Sequence, residues 1–102
     1  SFLNDFPVGK YAPNSYYWMG ELYQVVKPQD LEAARQAFVQ LLDQYPEHNK
    51  VPDAMYKLGK VYYLKDNKQK SREWLEKVIA EFGYDKNSSA ADKARQFVNA
   101  NF

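Results

Sequence analysis

Apolar residues recur with a helical period in four successive stretches of the chain. Tyr16, Met19, Gly20 and Tyr23 stand at i, i+3, i+4 and i+7, and Met55, Leu58, Gly59 and Tyr62 repeat that order. Between and after them run Ala34, Phe38, Leu41, Leu42 and Tyr45, then Ser71, Leu75, Val78, Ile79 and Phe82, each set on one helical face. The closing segment SSAADKARQFVNANF reads as one more helix, and no segment alternates as a strand would. The punctuation agrees with helices. Asn14 is expected to cap the first and Asp30 the second, and Pro52 suits a first helical turn. Pro46 and Gly83 are expected to end the second and fourth.

The pattern is a repeat. APNSYYWMGELYQV, from Ala12, aligns with VPDAMYKLGKVYYL, from Val51, with Pro13, Gly20 and Tyr23 matching Pro52, Gly59 and Tyr62 at a spacing of 39. ARQAFVQLLDQYP, from Ala34, matches SREWLEKVIAEFG, from Ser71, at a spacing of 37; the two-residue difference lies in the longer hinge of the first copy. FLNDFPVGKYAPNS resembles LLDQYPEHNKVPDA, so the chain is expected to open on the tail of an earlier second helix. The expectation is one all-α domain over 1–102, a solenoid of antiparallel helix pairs. Its parts are a tail at 1–7, repeats at 12–50 and 51–86, and a closing helix at 87–102.

Gly20 and Gly59 sit mid-helix, where glycine costs about 1 kcal/mol relative to alanine. Both occupy the same phase beside the apolar stripe, which predicts close approach of the partner helix at each. The run Tyr16-Tyr17-Trp18 cannot face one core, because neighbouring residues on a helix point about 100° apart. Tyr16 is assigned to the core. Tyr17 and Trp18 are left for a groove or for a neighbouring repeat.

Composition narrows the function. The chain has 14 basic and 13 acidic residues for a net charge of +1, which gives no footprint for nucleic acid or an anionic membrane. No run approaches the roughly 18 apolar residues that span a bilayer, so membrane insertion is not expected. There are no cysteines, which excludes disulfides and thiolate metal sites. The single histidine, His48, lies in the turn YPEHNK with no second histidine or cysteine to build a metal site or nucleophilic pair. Carboxylate pairs such as Asp43 with Glu47 and Glu73 with Glu76 read as solvated. No catalytic residue, metal ligand or cofactor site is expected, and no signal-like segment encodes a localisation.

Binding of a protein is the remaining class. Nine tyrosines in 102 residues suit half-buried surfaces and interfaces. In stacked helix pairs the first helices line the concave side. Residues one step from the core stripe then face outward: Asn14, Tyr17, Trp18, Glu21 and Gln24 in the first copy, and Asp53, Tyr56, Lys60, Tyr63 and Leu64 in the second. Tyrosines and Leu64 would supply apolar contact while Glu21, Asp53 and Lys60 fix register. The alternative for Tyr17, Trp18 and Tyr63 is packing on the adjacent repeat. Trp74, on a second helix, is assigned to packing.

This register resembles the tetratricopeptide repeat. The pattern's positions read Tyr16, Met19, Gly20, Tyr23, Ala34, Phe38 and Pro46, then Met55, Leu58, Gly59, Tyr62, Ser71, Leu75 and Gly83. Departures are the longer repeats, Gly83 in place of proline, and Ser71 and Trp74 where small residues are common.

The wording FPVGKYAPNSYYWMGELY and YPEHNKVPDAMYKLGKVYY is similar, more narrowly, to the C-terminal domain of the Tol-Pal system family YbgF, also called CpoB. Ala12, Pro13, Tyr17, Trp18, Met19, Gly20 and Glu21 carry that likeness; GYDKNSSAADKA fits it less well. The resemblance implies a periplasmic, non-enzymatic scaffold of a Gram-negative bacterium. Its partner would be TolA or another cell-envelope protein such as a peptidoglycan synthase, and its role the coordination of peptidoglycan synthesis with outer-membrane constriction in cell division. It also implies that the chain begins inside the family's first repeat, after a trimerising coiled coil of which no heptad segment is present here. Two alternatives stand beside it. One is a structural module whose open repeat ends stack into a homo-oligomer, and the other is an envelope repeat lipoprotein of outer-membrane assembly.

Overall fold

The computed structural model describes residues 12–102, and the expected helix tail at 1–7 lies outside them. Five helices follow in order: α1 (Pro13–Val25), α2 (Leu31–Gln44), α3 (Val51–Leu64), α4 (Lys68–Phe82) and α5 (Ala90–Asn101). Among the described residues there is no strand. The expected all-α architecture of helix pairs is what the chain forms.

Local signals set the ends. The Asp30 side chain accepts from the Ala33 backbone N–H at 2.9 Å, and the Asn67 side chain accepts from that of Lys70 at 3.2 Å, so α2 and α4 each satisfy one orphan amide. The expected Asn14 cap is not made. Ala12 is the capping residue, no side chain caps α1, and Pro13 starts the helix where a missing N–H costs nothing. Asn14 is therefore already inside the first turn. The short hinge between α3 and α4 turns on Asp66, whose φ of 62° is left-handed.

Short connections make successive helices antiparallel, so α1, α3 and α5 run one way and α2 and α4 the other. Each helix packs on the next, and α3 also meets α5. The core is the stripe predicted by periodicity. Tyr16, Ala34, Phe38, Leu41, Leu58, Leu75 and Val78 are sealed from solvent. Gly20 faces the Phe38 ring, and Gly59 faces Leu75 and the Ser71 carbonyl. Ser71 itself is fully buried, and its hydroxyl has no partner among the described residues. The closing helix joins the same core through Ala90 and Ala94.

Candidate protein-binding face

Helices α1, α3 and α5 form one wall of the molecule, and two cross-links set their spacing. Between α1 and α3, Lys57 Nζ lies 3.2 Å from Glu21 Oε1, an oxygen sealed from solvent; the pair is charged contact without hydrogen-bond alignment. Between α3 and α5, the Tyr63 ring meets Phe97 edge-on at 5.3 Å and Phe102 at 5.7 Å.

The predicted site residues divide on this wall. Tyr56, Lys60 and Tyr63 stand on its α3 face at i, i+4 and i+7, each half-buried, with Leu64 exposed at the end. Asp53 lies half-buried in the first turn of α3. Lys60 Nζ is 5.5 Å from the centre of the Tyr56 ring, within cation–π range. Desolvation lowers the proton affinity of Lys60 first; the charges of Lys57 and Lys93 lower it further, against the pull of Glu21.

On α1 the expectation needs correction. Tyr17 does not present a free surface: its ring packs edge-on against Phe38 at 6.0 Å, and the Lys50 ammonium lies 5.0 Å from its centre. Burial, then the negative charges of Glu21 and Asp53, push its hydroxyl pKa up to about 12. Glu21 is turned to Lys57 rather than outward. The Gln24 side chain folds back to donate to the Gly20 carbonyl at 3.3 Å. Asn14 and Trp18 remain exposed. Trp18, Glu21, Leu22 and Val25 line a shallow depression of about 410 Å³ on the outer side of α1.

Lys93 and Phe97 belong to the wall and were missed by sequence reasoning, which read α5 only as a closing helix. Its buried alanines Ala90, Ala91 and Ala94 have the phase of a further first helix, and that signal would have turned Lys93 and Phe97 toward the wall. Trp74 behaves as expected and packs against the core. It also borders a cavity of about 290 Å³ on the opposite side, with Leu42, Val51, Met55 and Lys77.

The family model described as tetratricopeptide repeat matches residues 14–48 and again residues 53–83. The chain belongs to the tetratricopeptide repeat family. No curated protein matches it. Tetratricopeptide repeats are in general non-enzymatic protein-interaction repeats, and the wall of first helices is the surface that this architecture offers a protein partner. The two matched segments begin within α1 and α3, so the register Tyr16-Met19-Gly20-Tyr23 and its copy coincide with the tetratricopeptide helix pairs.

Proposed function

We propose that this tetratricopeptide domain is the interaction module of a periplasmic Tol-Pal scaffold, taking a segment of TolA or a similar cell-envelope protein along the α1–α3–α5 wall. In that role it would help to coordinate peptidoglycan synthesis with outer-membrane constriction. The observation that carries the binding face is the row Tyr56, Lys60, Tyr63 and Leu64, which leaves aromatic and aliphatic surface open on the most deeply embedded helix of the molecule. The Tol-Pal assignment is supported by the wording YAPNSYYWMGELY. Asn14 and Asp53 extend the face toward α1, whereas Trp18 borders the depression with Leu22 and Val25.

Titration of the periplasmic part of TolA tests this. Tyr56→Ala and Tyr63→Ala are each expected to weaken binding by more than about 1 kcal/mol, with chemical-shift changes confined to the wall. Unchanged affinity for both variants would remove the assignment of this face.

A second reading is favoured by the depression beside Trp18, Leu22 and Val25, all three exposed on α1. An apolar stripe of this kind suits end-on stacking of one copy on another, which makes the domain a self-assembly module.

A further inference from the structure

We propose that the cavity between α2 and α4, on the side away from the wall of first helices, is a second binding site. It takes an arginine side chain from a protein segment, with the stem on its apolar floor and the guanidinium between Asp43 of α2 and Glu81 of α4. This site is independent of the wall, and it lets the domain hold two partners on opposite faces.

Helices α2 and α4 run the same way, so their C-terminal ends fall at the same end of the molecule. Asp43 and Glu81 are each the penultimate residue of their helix, and both border the cavity. The last turn of a helix already carries partial negative charge on its free carbonyls. A carboxylate there adds to it, and neither last turn holds a basic residue. Among the described residues neither Asp43 nor Glu81 makes an ion pair, whereas Glu76 of α4 is paired with Arg72 at 3.5 Å. Two cations stand nearby, each engaged elsewhere. Lys77, one turn before Glu81, holds its ammonium 5.1 Å from the centre of the Trp74 ring. Arg95, which approaches Gly83 from α5, is held by Asp92 at 2.8 Å. The rim keeps a negative balance, two carboxylates against one lysine. Below it the floor is apolar, made by Leu42, Val51, Met55 and Trp74, with Val51 and Met55 buried. An acidic rim over an apolar floor disfavours an anionic segment and suits a cation on a long apolar stem. Two separate carboxylates, one from each helix, select arginine, whose planar fork donates in several directions where lysine is a point charge. The volume of about 290 Å³ lies at the bottom of the range of about 300–1,000 Å³ for small-molecule pockets, so it fits one long side chain rather than a cofactor.

The test titrates the isotope-labelled chain with a peptide of about a dozen residues that carries a single Arg flanked by Leu and Ala, and with a twin that has Gln in place of that Arg. The indole N–H signals of Trp74 and Trp18 report the two sides of the molecule separately. The Arg peptide is expected to bind at least about fivefold more tightly than its twin. It should move the Trp74 indole and the amides around Asp43 and Glu81, while Trp18, Tyr56 and Tyr63 stay in place. Asp43→Asn and Glu81→Gln change exposed side chains and should leave the fold intact, and each should remove most of that preference. Glu73→Gln, exposed one position before Trp74, should not. Arginine amide alone should bind far more weakly than the peptide. Equal binding of the peptide and its twin, binding of neither, or an equal loss with Glu73→Gln would overturn the site. Shifts confined to Tyr56 and Tyr63 would overturn it as well and leave the wall standing. Arginine amide bound as tightly as the peptide would overturn the protein segment in favour of a free small cation.

Discussion

A methyl group added at Gly20 would stand 2.5 Å from Cζ of Phe38, and one at Gly59 would stand 2.8 Å from Cγ of Leu75. Phe38 and Leu75 are fully enclosed, so neither can swing away without moving the core. Overpacking of that kind costs about 1–3 kcal/mol, against about 1 kcal/mol gained from alanine's helix propensity. Gly20→Ala and Gly59→Ala are therefore expected to lower stability in urea unfolding despite improving the helix. These glycines were legible in the sequence because they are twins in register. The burial of Tyr17 was not, since its phase points sideways along the wall and only the placement of Lys50 and Phe38 covers it. That burial has a pH consequence. A hydroxyl whose pKa rises from 10.0 to about 12 on folding holds its proton better in the folded state. Its contribution is complete below pH 10 and is lost as pH rises toward 12. Unfolding followed between these limits should show a steeper alkaline loss for the parent than for Tyr17→Phe, and equal slopes would contradict the burial of this hydroxyl.

Among the helices, the division between legible and illegible follows how local the deciding interaction is. The start of α2 is settled within four residues, by the Asp30 carboxylate on the Ala33 amide, and Asp30 was expected as a cap. The start of α1 was misplaced because Asn14 is as good a capping residue as Asp30, yet Pro13 lets the helix begin two residues earlier. The two positions make opposite predictions for the same substitution. Asp30→Ala should cost about 1 kcal/mol, as loss of a cap does, while Asn14→Ala should stay within about 0.5 kcal/mol. Equal losses by thermal or urea unfolding would restore Asn14 as the cap. The placement of α5 depends on longer-range contact. Its periodicity identified a helix, but its membership of the wall depends on Tyr63 meeting Phe97 across 34 positions of chain.

At the scale of the whole molecule, the repeat supplies its own comparison. α3 lies between α2 and α4, and at the 39-residue spacing its Ala54 and Val61 correspond to Ser15 and Leu22 of α1. Ala54 and Val61 are sealed from solvent, whereas Ser15 is exposed and Leu22 is 54% exposed. The difference is one of cover: α1 has α2 on one side and, among the described residues, no second helix on the other. Trp18, Leu22 and Val25 on that outer side form an apolar stripe at i, i+4 and i+7, the spacing by which one helix receives another. Three side chains do not make the area of a permanent dimer interface, so association through them should be weak and dependent on concentration. Sedimentation equilibrium over a wide concentration range is expected to show reversible self-association of this chain. Leu22→Glu, which places a charge in the centre of the stripe without touching the α2 contact, should abolish it, while Tyr56→Ala on the opposite wall should leave it unchanged. A chain that stays monomeric at every concentration, or associates equally with Leu22→Glu, would remove the self-assembly reading.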